Sequence, residues 1–184
     1  MTSDQSSPIH VLLVEDNETH AHLIKRYLNK TGSVEMKLEH VSSLQPALKR
    51  LESDGIDLVL LDLSLPDSEL DDTLPTMIGE HPEVPIIVLT SLDDVEFATR
   101  AVGQGAQDFL VKAEFNGPLL VRAINYAIER KKTQDRLESY AAELESSNAQ
   151  LQGFAHTVAH EVKSPLTVFS ACLQMLEDSY RDRF

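Results

Sequence analysis

Short apolar runs alternate with segments of helical periodicity along the first 129 residues of the chain. Runs of strand length fall at residues 9–14, 34–41, 56–61, 85–89 and 108–111. Apolar residues spaced three and four apart predict helices at residues 17–29, 43–52, 70–80 and 93–102, and Gly117-Pro118 begins a further helix. Asn17 and Asp93 are suited to cap two of these helices. The alternation predicts an α/β fold in which helices cover both faces of a five-stranded parallel sheet.

The pattern changes near Arg130, where the strand-like runs stop. The residues that follow contain no Gly or Pro until Gly153 and are rich in Ala, Glu, Leu and Gln, which favour helix. We therefore expect three parts: a disordered polar tail at residues 1–8, a globular domain at residues 9–129 and a helical extension at residues 130–184.

Charge and composition restrict the class of protein. The 184 residues carry a formal net charge of −14 and a single cysteine, Cys172, so no intrachain disulfide can form. An acidic chain disfavours nucleic acid as a partner, because phosphate contacts need clustered Lys and Arg. No apolar run approaches the ~20 residues of a membrane span, and residues 1–8 lack the features of a signal peptide. We expect a cytoplasmic protein with no membrane insertion and no nucleic-acid partner.

Polar residues follow four of the five predicted strands. Glu15 and Asp16 end the first, Asp62 the third, Thr90 the fourth and Lys112 the fifth. In an open parallel sheet, ligands bind beyond the carboxyl ends of the strands. Carboxylates gathered there would repel one another without a divalent cation, and oxygen ligands suit Mg²⁺. An Asp beside Mg²⁺ can attack phosphorus, while a lysine neutralises the phosphoryl group and a hydroxyl binds it, so these residues indicate phosphoryl transfer.

The stretches VLLVEDN, DLVLLDLSLPD, PIIVLTS and DFLVK carry these residues, and together they resemble the receiver domain of two-component response regulators over residues 9–129. The resemblance implies a flavodoxin-like strand order 2-1-3-4-5. It implies Asp62 as the phosphoacceptor, Asp16 as a direct Mg²⁺ ligand, Glu15 as a ligand through water and the main-chain carbonyl of Ser64 as a further ligand. It also implies a cognate histidine kinase or phosphotransfer protein as the phosphodonor.

The resemblance further implies that Thr90 is a switch hydroxyl, that Phe109 is an aromatic side chain that changes rotamer with it, and that Lys112 binds the phosphate. One departure concerns the residue after the lysine, which is usually a proline in a cis peptide and is Ala113 here. A cis bond before a residue other than proline costs ~2.5–4 kcal/mol, so we expect a trans bond and a rearranged loop at residues 113–116.

A heptad pattern runs through the extension. Leu137, Leu144, Leu151 and Val158 are seven apart, with Tyr140, Ser147 and Phe154 between them and Val162 following. An unbroken helix from Pro118 to Glu161 would be ~66 Å long, too long to pack on the domain along its whole length. We predict a parallel homodimeric coiled coil; the alternative is a helix that folds back.

Residues 154–167 contain His160-Glu161 followed by Pro165-Leu166, which resembles the H-box helix of the dimerisation and phosphoacceptor domain of sensor histidine kinases. The resemblance implies His160 as a phosphoacceptor and Glu161 as the base that polarises it. No Gly-rich nucleotide loop follows His160, so no ATP-dependent kinase activity is expected of this chain alone. We expect the N-terminal part of a receiver-containing histidine kinase. His10, His20, His22, His40 and His81 match no motif and are predicted to be surface residues.

These observations favour a phosphorelay module in which Mg²⁺-dependent phosphorylation of Asp62 controls a dimeric signalling helix. Phosphotransfer between Asp62 and His160 is a further possibility that needs a kinase domain in trans. The alternative from another class is a constitutive dimerisation or scaffold module whose receiver fold is no longer phosphorylated, for which Ala113 is the sequence hint.

Overall fold

The structure, a computed structural model, describes residues 8–30, 35–91 and 100–181, without the side chains of residues 30, 155–162, 164, 172 and 176–181. The elements in chain order are β1 (Ile9–Val14), α1 (Glu18–Lys30), β2 (Met36–Val41), α2 (Leu44–Leu51), β3 (Leu58–Asp62), α3 (Leu70–Glu80), β4 (Ile86–Thr90), β5 (Asp108–Val111) and α4 (Gly117–Arg181). The helix predicted at residues 93–102 falls largely on residues 92–99, which lie outside the described residues, and residues 100–103 are helical.

The strands form one parallel sheet in the order β2-β1-β3-β4-β5, which confirms the predicted flavodoxin-like order. Val14 at the end of β1 lies opposite Val41 of β2 and opposite Leu61 of β3. At the other side of β3, Asp62 lies opposite Leu89 of β4. The carboxyl ends of the central strands are therefore level, and the residues that follow them emerge at one edge of the sheet.

Helices cover both faces of the sheet, as predicted, because successive residues of each buried strand point to opposite sides. Val11 and Leu13 of β1 belong to a core cluster with apolar residues of α1 and α4, among them Ile24 and Ile124. Leu12 and Val14 belong to a second cluster with apolar residues of α2 and α3, among them Leu44, Ala47, Leu74 and Met77. Strands buried on both sides read as continuous apolar runs, which is why the sequence revealed them.

The start of α2 is capped from a distant loop. The predicted helix begins at Ser43, but the Ser43 side chain makes no capping hydrogen bond. Instead, the N–H groups of Leu44 and Gln45 donate to the two carboxylate oxygens of Asp67, at 2.8 and 2.9 Å. Asp67 follows β3, so this cap ties the loop after the strand that carries Asp62 to α2. Partial desolvation works to raise the pKa of Asp67, but these hydrogen bonds outweigh it and hold the pKa below its usual 3.8.

Replacing Asp67 with Ala should lower the free energy of unfolding by about 1 kcal/mol at neutral pH, because two helix N–H groups lose their acceptor. Because the folded pKa is depressed, this stabilisation is complete above pH 3.8 and is lost as the pH falls through the lower folded value. Urea denaturation at several pH values should show that the difference in free energy of unfolding between wild type and Asp67→Ala becomes smaller in acid. Asp54→Ala serves as the control, because Asp54 is exposed. If Asp67→Ala lowers the free energy of unfolding at neutral pH only as much as this control does, the cap is contradicted.

The edge strand β2 is joined to α2 by an ion pair. Nε and Nη2 of Arg50 donate to the two carboxylate oxygens of Glu39, at 2.6 and 2.8 Å, and Nη1 of Arg50 donates to the main-chain oxygen of Ser53 at 3.0 Å. This paired geometry is the one in which a guanidinium binds a carboxylate most strongly. The hydrogen bond to Arg50 lowers the pKa of Glu39 despite an opposing desolvation.

The chain divides into two compact units, residues 1–134 and 135–184. In the second unit, the apolar side chains at the predicted heptad positions are exposed, namely Leu137, Tyr140, Leu144, Leu151 and Phe154. Pro165 lies within α4, and the apolar residues Leu166, Phe169 and Leu173 beyond it are also exposed. Within the described part of the chain, no helix combines the length and the apolarity needed to cross a bilayer.

Candidate functional site

Three carboxylates meet at the carboxyl ends of β1 and β3. Glu15 and Asp16 follow β1, and Asp62 is the last residue of β3. One oxygen from each lies within 4.8 Å of the others. Glu15 has no exposed surface and Asp62 is 6% exposed, whereas Asp16 is exposed. Buried carboxylates need compensating charge, so this cluster calls for cations around it.

Lys112 supplies one of these cations. Its Nζ lies 2.6 Å from Oδ2 of Asp62 and 2.8 Å from Oε2 of Glu15. The main-chain N–H of Lys112 donates to the carbonyl of Thr90 at 2.8 Å, which extends the β4–β5 ladder by one residue and directs the lysine to the cluster. Burial alone would lower the pKa of Lys112, but hydrogen bonds and attraction from Asp62 and Glu15 outweigh it and raise the pKa above its usual value. Lys112 is therefore a cation at neutral pH.

The remaining receiver-like positions lie on or next to β3, β4 and β5. The Thr90 hydroxyl, almost fully buried at the end of β4, donates to the carbonyl of Ser91 at 3.2 Å. The N–H of Ser64 donates to Oδ1 of Asp62 at 3.2 Å, which fixes the orientation of that carboxylate. Phe109 is half-buried on β5 and packs against the core cluster beneath α2 and α3. Thr90 and Phe109 lie on strands, and Ser64 follows a strand, that end at the same edge of the sheet.

The donor set fits a hard divalent cation. Oε2 of Glu15 is buried, and among the described residues its compensating charge is the Lys112 ammonium. Three oxygen ligands on two adjacent strand ends, one of them exposed, suit Mg²⁺, which keeps several of its waters.

Two histidines that matched no sequence motif contact Glu15. Nδ1 of His20 lies 3.1 Å from Oε1 of Glu15, and Nε2 of His40 lies 2.8 Å from its main-chain oxygen. Both keep exposed surface, in line with the predicted surface positions, but their place beside the cluster was missed. The strand order alone would have predicted that His40 lies near Glu15, because the order 2-1-3 brings the end of β2, where His40 lies, next to the end of β1.

The loop after Lys112 has the expected trans geometry. Described residues contain no cis peptide bond, so the Lys112–Ala113 bond is trans. The N–H groups of Glu114 and Phe115 donate to the carbonyl of Val111 at 2.9 and 3.3 Å, closing a turn. Phe115 is buried and its ring meets that of Tyr27 edge to face, with centroids 6.1 Å apart. The turn is thus anchored by apolar packing between α1 and the start of α4.

The helix that carries the H-box-like residues is present, since α4 runs through residues 154–167. The side chains of His160 and Glu161 lie outside the described residues, so their predicted roles stay predictions.

A sequence profile of the response regulator receiver domain matches residues 11–125, more than half of the chain. The luminescence regulatory protein LuxO of Vibrio campbellii is 37% identical over 100 residues, which cover 54% of this chain and 21% of LuxO. The swarming motility regulation protein RssB of Serratia marcescens is 34% identical over 123 residues, covering 67% of this chain and 54% of RssB. The chain therefore spans about a fifth of the length of LuxO and half that of RssB.

Solved structures show the same fold. The signal receiver domain of a protein described as a LuxO repressor from Vibrio parahaemolyticus superposes with a TM-score of 0.61 at 30% identity, covering 72% of this chain and 98% of that one. A response regulator receiver domain protein from Clostridium thermocellum superposes with a TM-score of 0.60 at 30% identity, covering 68% of this chain and 98% of that one.

Proposed function

Because this chain belongs to the family of response regulator receiver domains, we propose that Asp62 accepts a phosphoryl group in the presence of Mg²⁺ and that its phosphorylation controls the part of α4 beyond Glu129. The observation that carries the proposal is the position of Lys112, whose ammonium contacts both Asp62 and Glu15 within the acidic cluster. A cation in contact with the acceptor carboxylate is what an incoming phosphoryl group requires.

The phosphodonor is a phosphohistidine of a histidine kinase or phosphotransfer protein. A lone pair on a carboxylate oxygen of Asp62 attacks phosphorus, the O–P bond forms, and the N–P bond breaks with its electron pair returning to the donor imidazole. Lys112 neutralises the transferred oxygens, and the Thr90 hydroxyl turns from Ser91 to donate to one of them. Asp16, Asp62, the main-chain carbonyl of Ser64 and, through water, Glu15 would hold Mg²⁺, which would supply further positive charge there when bound.

The switch follows from this change in partner. When the Thr90 hydroxyl turns toward the phosphoryl group, it vacates space beside β5, and Phe109 moves inward. Phe109 is suited to this because it is half-buried and already packs at the edge of a core cluster. We propose that the protein acts in the cytoplasm.

The direct test is intact mass spectrometry after incubation with acetyl phosphate and Mg²⁺. One phosphoryl group should be added per chain, and none when Mg²⁺ is removed with EDTA. A well-behaved receiver domain treated in parallel confirms that the donor is active. If that control is modified and this chain is not, the scaffold alternative replaces phosphorylation as the function.

The part of α4 beyond Glu129 is proposed to form a parallel homodimeric coiled coil. Its support is the exposure of Leu137, Leu144 and Leu151, each about 64% exposed and seven residues apart. Apolar side chains repeated at this period on one helix are buried when two such helices pair. Phosphorylation would then act on the geometry of the dimer.

Replacing Leu144 with Glu should therefore convert the dimer to a monomer, because a charge at the seam is buried without a partner. Multi-angle light scattering should give twice the chain mass of 20.5 kDa for wild type and the chain mass for Leu144→Glu. Ala149→Glu, on the opposite side of the heptad, should leave the dimer intact. A wild-type protein that is monomeric at high concentration would refute the coiled coil.

The H-box resemblance supports a second candidate, in which His160 is a phosphoacceptor polarised by Glu161 and the chain is the N-terminal part of a receiver-containing histidine kinase. The relatives described above are regulatory proteins, so this candidate rests on the spacing of His160-Glu161 and Pro165-Leu166. Radiolabelled ATP with a histidine kinase catalytic domain in trans should label wild type and not His160→Gln.

A nucleic-acid partner is not expected, although one relative, NtrC of Proteus hauseri, is a DNA-binding transcriptional regulator.

A further inference from the structure

We propose that His20 and His40 are positioning residues that hold Glu15 from two sides and thereby set the affinity of the acidic cluster for Mg²⁺. The inference rests on the proposed function, because it assigns Glu15 to the cation site. Both histidines lie outside the receiver-like motifs, and both contact the same buried residue, His20 at the carboxylate of Glu15 and His40 at its main-chain carbonyl.

Glu15 is the member of the cluster that most needs to be held. Its side chain has no exposed surface, so water cannot fix its orientation. Lys112 lies 2.8 Å from Oε2, but that ammonium is shared with Asp62 at 2.6 Å. A phosphoryl group on Asp62 would compete for the same ammonium. Glu15 therefore needs a contact that does not change when Asp62 reacts.

His20 provides that contact for the carboxylate. Nδ1 of His20 lies 3.1 Å from Oε1, whereas Lys112 is paired with the other carboxylate oxygen, Oε2. An ionised carboxylate only accepts hydrogen bonds, so Nδ1 carries the hydrogen. The backbone of His20 is itself fixed, because Asn17 Oδ1 accepts from the N–H groups of Thr19 and His20 at 2.9 and 3.3 Å. The helix cap thus places the imidazole.

His40 provides a second contact, to the main chain. The N–H of Glu15 donates to the carbonyl of Val41 at 3.0 Å, which continues the β1–β2 ladder beyond Val14. Nε2 of His40 then donates to the carbonyl of Glu15 at 2.8 Å. Both main-chain groups of Glu15 are in this way bound to β2. The residue is fixed at its backbone by His40 and at its carboxylate by His20.

Loss of either histidine contact is expected to weaken the binding of Mg²⁺. Groups that bind metal ligands fix their orientation, and removing such a group typically weakens metal affinity by about 10- to 100-fold. The two contacts use different ring nitrogens, and an amide can replace each one selectively. Asn places its amide near the position of Nδ1, and Gln places it near the position of Nε2.

The test is calorimetric titration of the full chain with Mg²⁺ at one fixed pH, for wild type and four variants. His20→Asn and His40→Gln keep a donor where the native nitrogen lies and should bind Mg²⁺ within about threefold of wild type. His20→Gln and His40→Asn displace the donor and should bind at least about 10-fold more weakly. His22→Asn is the matched control, because His22 contacts the carbonyl of Glu18 at 2.7 Å and not the cluster.

Thermal unfolding of the same variants separates positioning from general stability. If affinity follows the melting temperature rather than the position of the amide, or if all four variants bind like wild type, the inference is overturned. Zn²⁺ binding that is lost in both His20 variants while Mg²⁺ binding is unchanged would overturn it in favour of direct ligation by His20. If the wild-type protein binds no Mg²⁺ and accepts no phosphoryl group, the proposed function and this inference are both overturned. If the wild-type protein does both and the variants do not behave as expected, only the roles of His20 and His40 are overturned.

Discussion

Replacing Asp62 with Asn should abolish the transfer of a phosphoryl group from acetyl phosphate to this chain. The substitution preserves the shape of the side chain but replaces the nucleophilic carboxylate with an amide, whose nitrogen lone pair is delocalised and whose oxygen is uncharged. Lys112 remains beside Glu15 at 2.8 Å, so the site keeps its other charges. Intact mass should show one added phosphoryl group in wild type and none in Asp62→Asn, with both proteins in Mg²⁺.

Asp71→Asn is the control for this experiment, since Asp71 is an exposed carboxylate on the first turn of α3. It should be modified like wild type. An adduct that persists in Asp62→Asn would refute Asp62 as the acceptor, and peptide mapping would then show whether Asp16 or His160 carries the group.

Replacing Lys112 with Met should lower the free energy of unfolding by about 3 kcal/mol when no divalent cation is present, because it leaves buried carboxylates without their counter-charge. Glu15 has no exposed surface and Asp62 has little, so neither can recover its hydration without local opening. Mg²⁺ at millimolar concentration should restore part of the loss, since a cation at the cluster replaces the missing charge. Urea denaturation with and without Mg²⁺ measures both effects.

The pH dependence gives a second readout of the same residue. The pKa of Lys112 is raised above its usual 10.5, so its stabilisation is complete below pH 10.5 and is lost as the pH rises through the higher folded value. The difference in free energy of unfolding between wild type and Lys112→Met should be constant around neutral pH and should disappear in strong alkali. Lys25→Met, an exposed lysine on α1, is the control. If Lys112→Met is as stable as this control without Mg²⁺, the ion pairs do not support the fold.

The strand pattern of the sequence predicted the sheet closely, because strands buried on both faces leave an unbroken apolar signal. The bounds of β1, α3 and β5 agree with the prediction, and the start of α4 at Gly117 does as well. β3 was predicted at residues 56–61 and lies at Leu58–Asp62. The strand includes Asp62 because that residue pairs with Leu89 of β4, a neighbour that the local pattern does not contain.

Among the parts that the sequence did not predict are contacts between residues far apart in the chain. Asp67 caps a helix that begins 23 residues earlier, and His40 binds a carbonyl 25 residues away. Such contacts depend on where loops and side chains meet after the sheet has formed, and single histidines and loop aspartates occur too often to indicate them. Glu15, Asp16, Asp62 and Lys112 were predicted together because each ends a strand or follows its end within two residues, and the topology fixes the neighbours of these strands.

The pair between Glu39 and Arg50 has a consequence for how copies of the chain meet one another. β2 lies at the edge of the sheet, and edge strands are where a second chain can add a strand of its own. A strand added there would strip water from the Glu39–Arg50 pair, in which both side chains are partly exposed, and from the exposed Lys37 beside it. These charged side chains therefore disfavour the addition of further strands at this edge, even at high protein concentration. Under the proposed coiled coil, copies of the chain would associate through the exposed apolar side chains of α4, as a defined pair rather than an open-ended stack.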